Sequence, residues 1–333
     1  MKTRDQAIQN LAQACTLLGV SVDRVMRRAG LSVDALSVDA GSAPPEVYFR
    51  IWQALRDEAG SGDMEFRLAK SYAQGPPAPP VFGFSCAETL GAGLERFAQF
   101  KPLMGPKRLE VVRPGGAIEA TLVSIDPSLP LPTSIGLFEL VFLTELARSF
   151  TGETVTPSAL SLPAPIEMTD EVVDFLGSRP RIGSRVMLAF SAEDAARPLV
   201  TRSPAVWAEI EPMLTKELNE RRAAASVAER VRSVLTEMLP GGLTGADDVA
   251  RRLNLSRRSL QRRLTEEGTS FQRVLSRTRS DLSVQYLVRS DFTLPEISYL
   301  LGFSDSSSFF RAFHTWQGVT PGEYRERHAE RVA

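Results

Sequence analysis

The sequence predicts a chain of two parts: an α+β N-terminal domain and an all-α C-terminal domain with two helix-turn-helix subdomains joined by a long helix. Three observations carry this expectation. DDVARRLNLSRRSLQRRLTEEG at 247–268 and LPEISYLLGFSDSSSFFRAFHTWQG at 294–318 share one grammar: a short amphipathic helix, a tight break, and a second helix with a polar outer face. RLEVVRP-GG-AIEATLVSI at 108–125 is the clearest β signal, two alternating runs around a Gly-Gly turn set among helical patterns. A length of 333 residues accommodates two domains of ordinary size, each with its own core.

Taken in order, residues 5–18 place Ile8, Leu11, Cys15 and Leu18 at helical spacing, and Gly19 ends the run. Ser21 caps VDRVMRRAGL, which ends at Gly30. Pro44 and Pro45 start PEVYFRIWQALRDEAG, because proline is tolerated in a first turn; GDMEFRLAKSY is a further short helix. GPPAPP at 75–80 reads as a rigid extended loop. The aromatic segment VFGFSCA and a helix over about 88–101 follow, then the hairpin. After the loop DPSLPLP, SIGLFELVFLTELARSF is too apolar to be other than a buried helix. Residues 163–190 read as short strands around a helix, including DEVVDFLG and RVMLAF. Arg202-Ser203-Pro204 starts another helix, which Pro212 interrupts or kinks. The domains expected are 1–215, a helical linker at 216–226, and 227–333.

Composition narrows the class. An apolar fraction of 43% and a charged fraction of 24% are those of a soluble globular protein. No run reaches the ~18–20 apolar residues of a membrane helix, and MKTRDQAIQNLAQA lacks the pattern of a signal peptide. Cys15 and Cys86 are too few for a disulfide framework or a cysteine-rich metal site, so a reduced cytoplasmic setting is expected. The net charge of −1 hides an asymmetry: from Ser226 onward there are 16 Arg and no Lys against 13 Asp plus Glu. Between Ser256 and Arg279 stand seven Arg and two Glu.

In the C-terminal part, Val227 to Leu239 is a lead-in helix closed by Pro240-Gly241-Gly242. Thr244 begins the first unit, Val249, Ala250 and Leu253 face inward, Asn254-Leu255 turn, and Ser256 caps the next helix. Leu260 and Leu264 anchor that helix and leave Arg257, Arg258, Gln261, Arg262 and Arg263 outward. Arg pairs with guanine and Gln with adenine through two hydrogen bonds, and Arg is also the common phosphate contact. A solvated helix face is the plainer reading of such a charge run, but the acidic residues that would neutralise it are too few. A core helix over about 270–289 joins the two units. Thr293 and Glu296 form a capping box for the second, where Ile297, Leu300 and Leu301 pack inward and Gly302-Phe303 turn. Ser304 is expected to cap the last helix, Phe309 and Phe313 to be core, and Ser306, Ser307, Ser308, Phe310 and Arg311 to face DNA.

GFSDSSSFFRAFHTWQGVTPGEYR at 302–325 resembles the signature of the AraC/XylS family of transcriptional regulators. The shared residues are the Gly-Phe turn, Phe309-x-Arg311-x-Phe313, Gly318, Thr320-Pro321 and Tyr324-Arg325, and the resemblance covers about 227–327. It implies DNA contacts from Arg258, Gln261 and Arg262, then from Ser306, Ser307 and Arg311. The usual basic residue after the second Phe is His314 here. The N-terminal part resembles the arabinose-binding-domain-like effector domain of the ornithine-utilisation type of these regulators. LGV at 18–20, AGL at 29–31, the helix around Trp52, TLGAGLERFAQF, LTELARSFTGE and RPL at 197–199 carry that likeness.

The leading expectation is therefore a transcription regulator that binds double-stranded promoter DNA, controlled by a small-molecule effector in an N-terminal effector-binding/dimerisation domain. RNA polymerase contact, a homodimer and no membrane association go with it. A constitutive regulator whose N-terminal domain only dimerises or contacts polymerase is the alternative, and an enzyme is the distant one. Both His residues, His314 and His328, lie in the C-terminal part, and no GxGxxG, P-loop or complete GxSxG set is present, so no cofactor, metal or catalytic residue is expected. For the effector, Phe82, Phe84, Cys86 and the helix over 97–104 are expected pocket walls, with Lys101 at the rim for an anionic ligand. An ordinary core beside a solvated lysine gives the same pattern.

Overall fold

Amphipathic spacing folds the start of the chain into α1 (Lys2–Leu18), α2 (Val22–Arg28), α3 (Pro45–Ala59) and α4 (Met64–Gln74). The computed structural model describes residues 2–31, 45–60, 62–126, 129–224, 226–242, 244–288 and 292–329. Pro44, Pro127, Ser128, Ala225 and Arg289, which the sequence places at a helix start, in a loop, in the linker and at a helix end, lie outside them. The loop expected at 75–80 is shorter: Pro79 and Pro80 form the first turn of α5 (Pro79–Ser85), where a missing N–H leaves no bond unmade. Thr89 caps α6 (Leu90–Phe100) by accepting from the Ala92 N–H, and a 3-10 turn over Lys101–Met104 leads out of it.

The expected hairpin forms as β1 (Lys107–Val112) and β2 (Ile118–Ser124), turned through Gly115 and Gly116 at φ of 58° and 89°. Then come α7 (Thr133–Thr151), β3 (Ala159–Leu162), α8 (Asp170–Leu176), β4 (Arg181–Ile182), β5 (Val186–Phe190), α9 (Ala192–Ala195) and α10 (Pro204–Ala224). The sheet runs β1-β2-β5-β3-β4, antiparallel except for the β3–β4 pair. Leu109, Leu122, Ala120, Leu188 and Leu160 form its inner face and are all buried. Against the sheet lies α7, approaching it closely at Gly136, where a Cβ would come within 2.8 Å of Leu162 and Val186.

Because α7 is apolar around its circumference it must be enclosed, and it is buried from Ser134 through Ala147. Glu139 sits at its middle and is 1% exposed, so its charge needs partners. Lys101 Nζ donates to one carboxylate oxygen at 2.6 Å and Lys107 Nζ to the other at 2.8 Å. Tyr48 Oη lies 3.4 Å from Lys107 Nζ, and Lys101 Nζ stands 4.7 Å from the centre of the Phe97 ring. Burial raises the proton affinity of the Glu139 carboxylate, but the two ammonium groups outweigh it and hold the carboxyl down at about 2. Desolvation dominates at Lys101 and lowers it to about 8, since Lys107 competes for the same carboxylate.

Pro212 does not break α10, which continues on both sides of it; the proline is exposed, so the carbonyl it leaves unmatched faces water. Leu214 and Leu218 are buried against Phe100, and Arg221 donates to the Leu103 carbonyl at 2.9 Å. Residues 216–221, expected as linker, are thus helix packed onto the N-terminal unit. The chain divides into compact units at 1–221 and 222–333.

The second unit contains α11 (Val227–Met238), α12 (Ala246–Arg252), α13 (Arg257–Glu266), α14 (Phe271–Val288), α15 (Leu294–Leu300), α16 (Ser306–Gln317) and α17 (Pro321–Ala329). Ser226 and Glu229 close a capping box on α11. One apolar cluster joins all the main helices, from Val231 and Leu235 through Leu260, Leu264, Leu275 and Leu282 to Ile297, Phe309 and Phe313. No described helix is long and apolar enough to cross a membrane.

Glu139→Gln leaves two ammonium groups buried with no anion, and should destabilise the N-terminal unit by about 3–5 kcal/mol. The native Glu139 carboxyl, held at about 2 against an ordinary 4.5, contributes stability that is complete above 4.5 and is lost as pH falls toward 2. Thermal unfolding followed from pH 6 to pH 2 should show the variant losing less than the parent over that window.

Candidate nucleic-acid interface

The first two-helix unit is built as its residues dictate. Val249 and Ala250 are the buried residues of α12, and Asn254 turns the chain at φ 55°, a left-handed geometry that asparagine tolerates. Ser256 caps α13, its hydroxyl accepting from the Ser259 N–H at 3.1 Å. Leu260 and Leu264 anchor the helix in the core. Arg257, Arg258, Gln261, Arg262 and Arg263 are all exposed. Asp247 pairs with Arg257 at 2.9 Å and Glu266 with Arg262 at 3.9 Å. Among the described residues Arg258 and Arg263 have no ion pair. Exposed pairs of this kind hold little energy and open readily to a phosphate.

Arg279, counted with the basic cluster, is used inside the fold. Its Nε and Nη2 donate to the carbonyls of Leu301 and Gly302 at 2.9 and 2.6 Å, and the guanidinium lies 4.3 Å from the centre of the Phe303 ring. Burial accordingly pulls it below the usual arginine range. Arg325 likewise donates to the carbonyls of Leu287 and Phe292, tying α17 to the end of α14. Neither role shows in a charge count, because both depend on carbonyls from distant segments.

In the second unit Thr293 and Glu296 form the expected capping box on α15, and Ile297, Ser298 and Leu301 are buried. Leu300 is only half-buried. The cap of α16 is Asp305, not Ser304: its Oδ1 accepts from the Ser308 N–H at 2.7 Å and its Oδ2 from the Ser308 hydroxyl at 2.8 Å. The bonds from Ser308 hold the Asp305 carboxyl below the usual range. The turn is therefore one residue longer than in the first unit. Phe309 and Phe313 are fully buried, while Ser307, Phe310, Arg311 and His314 are exposed and Ser306 is half-buried. Ser308 is less free than its sequence position suggests, since it also accepts from Arg311 Nη2 at 3.1 Å. Trp316 Nε1 donates to Ser276 and Gln317 Nε2 to Ser280, both on α14, so α16 is held to the long helix.

A contact that sequence reasoning missed closes the first unit. Glu267, just past α13, accepts from the N–H groups of Val227 and Ala228 at 2.6 and 2.9 Å, the first turn of α11.

The residues expected to line an effector pocket are dispersed. Phe82 is exposed on α5, Phe84 is buried against Phe97 and Phe150, and Cys86 is buried. Lys101 lies at no rim: it is 1% exposed and paired with Glu139. The Phe97 ring does bring Phe84 and Lys101 onto one cluster. Lys107 and Tyr48, which complete its polar centre, come from β1 and α3 and leave no local pattern to find.

Two family comparisons bracket the chain. Residues 19–199 match the arabinose-binding domain of AraC transcription regulators, N-terminal, and residues 249–327 match a helix-turn-helix domain. Over 139 residues the chain is 38% identical to the ornithine utilization regulator of Pseudomonas aeruginosa, covering 42% of this chain and 41% of that relative. It is 27% identical over 286 residues to the HTH-type transcriptional regulator VirS of Mycobacterium tuberculosis, covering 84% and 83%. The crystal structure of the transcriptional regulator CdpR from Pseudomonas aeruginosa aligns over 96% of this chain and 98% of that one, at 19% identity and a TM-score of 0.41.

Gly302 adopts φ +66°, and a Cβ there would stand 2.7 Å from Thr244 Cγ2. Gly302→Ala should therefore destabilise the C-terminal unit by about 1–2 kcal/mol or more, from left-handed strain plus that clash. Asn254→Gly, at the matching turn of the first unit, should be nearly neutral. Denaturant titration of both variants checks the contrast.

Proposed function

The chain belongs to the AraC family of transcription regulators, and on that premise we propose that it recognises specific promoter sequences through α13 and α16. One observation supports this most: Arg257, Arg258, Gln261, Arg262 and Arg263 form an exposed outer face on a helix whose other side is anchored by Leu260 and Leu264. Arg262 and Gln261 read base edges, while Arg258 and Arg263 meet phosphates and position the helix. Ser306, Ser307 and Arg311 extend the site along the groove, with Ser308 acting through Arg311. In this reading residues 227–333 are the DNA-binding domain, and the protein acts as a homodimer that contacts RNA polymerase.

The N-terminal unit, with residues 1–215 as its effector-binding part, is in this proposal the receiver of a small-molecule effector. The observation that favours it is the centre shared by Lys101, Lys107 and Glu139, where two cations share one buried anion. All three side chains are sealed from solvent, so an effector with a carboxylate or another anionic group would meet this excess of positive charge only where the fold opens to admit it. A thermal-shift screen of the full chain against metabolite carboxylates tests it. A set in which none raises the first melting transition leaves the constitutive regulator as the better account.

Gln261→Ala and Arg262→Ala should each weaken binding to a selected operator by about 1–3 kcal/mol and relax preference at one base pair. Arg263→Ala should instead weaken all sequences alike and shallow the salt dependence by about one unit of slope. Mobility-shift titrations at several salt concentrations distinguish the two. Unchanged affinity in all three variants would contradict the docking of α13.

A further inference from the structure

The caps put the two reading helices in register. Counting from Ser256 on α13 and from Asp305 on α16, the fourth and eighth residues are the buried anchors: Leu260 and Leu264, then Phe309 and Phe313. The fifth and sixth residues face outward on both helices, Gln261 and Arg262 on the first, Phe310 and Arg311 on the second. Phe310 thus occupies the place where the first helix carries a base-reading amide. It is 39% exposed, and among the described exposed residues of α16 it alone is apolar, flanked by Ser307, Arg311 and His314.

The ring is partly covered by the fold, and the rest of it stands as an apolar patch in the middle of a polar face. Its orientation is nevertheless set, because it meets the buried Phe309 ring edge-on at 5.7 Å. In the major groove the base edges are donors and acceptors, with one apolar feature, the C5 methyl group of thymine. A phenyl ring has no hydrogen bond to offer and covers a methyl well.

We propose that Phe310 is a specificity-determining residue that reads a thymine through its C5 methyl group in the half of the site met by α16. The inference rests on the reading that α16 enters the major groove. The two helices would then use different chemistries at equivalent positions, an amide on adenine and a ring on thymine.

The full chain is used to select its binding site from randomised duplex DNA. Each thymine of the selected site is then replaced singly by deoxyuridine, which removes only the methyl group. Affinity should fall about fourfold at one thymine in the α16 half, the effect of burying one methyl-sized group. Phe310→Ala should bind the thymine site more weakly and lose nothing further on that replacement, whereas Phe310→Leu should keep the sensitivity. Should Phe310→Ala fold poorly, Phe310→Gln serves instead, and should move the preference at that position toward adenine, as Gln261 does in the first half. A variant lacking the ring that keeps the same uracil sensitivity overturns the proposal, as does a parent protein indifferent to every thymine methyl. A pool from which no sequence is enriched would instead bring down the DNA-recognition reading itself.

Discussion

Two pairs of apolar side chains, each four residues apart, hold α13 and α16 on one core: Leu260 with Leu264, and Phe309 with Phe313. The proposed DNA recognition depends on that anchoring. It turns the outward residues into a face whose direction is set by burial rather than by the mobile charges themselves. The long helix α14 supplies Val274, Leu275 and Leu282 to the same core. It also binds the second unit through Arg279, Ser276 and Ser280. A spine of this kind sets the separation of the two faces, which the proposed reading of two stretches of a groove requires.

The N-terminal unit is organised by a different necessity. Its central helix is apolar enough to be swallowed by the fold, yet it carries Glu139 into the interior. Lys101 and Lys107 must follow it in, and they fix the end of α6 and the start of β1 onto α7. Breaking such a centre costs far more than forming it yields. A site of that kind responds sharply to any change in local charge. A link of another sort joins the two ends of the first part of the second unit, where Glu267, just past α13, holds the first turn of α11.

What the residues disclosed in advance was whatever periodicity and local turn chemistry control. The α13 anchors, the Asn254 and Gly302 turns, the Thr293–Glu296 box and the Gly-Gly hairpin are all local, and each was legible. The misses arose where a distant partner or a competing acceptor decided the outcome. Asp305 rather than Ser304 caps α16, its carboxylate accepting from the Ser308 N–H and hydroxyl and from the Ser304 hydroxyl. Arg279 looked like surface charge because nothing near it in sequence shows the carbonyls it serves. Lys101 looked solvated because Glu139 lies 38 residues away. The Pro79–Pro80 pair starts a helix instead of ending a loop, since a first turn tolerates proline, and Phe84 on that helix packs against Phe97.

The central claim is that α13 and α16 form one rigid reader with a set spacing. Its most direct test is the affinity of the full chain for a selected site whose two halves have been moved apart by five base pairs, about half a turn of the duplex. The account predicts a loss of about tenfold or more, since the second helix would then face the wrong side of the DNA. Affinity that is unchanged by the insertion would contradict it, and would mean that the two helices bind independently.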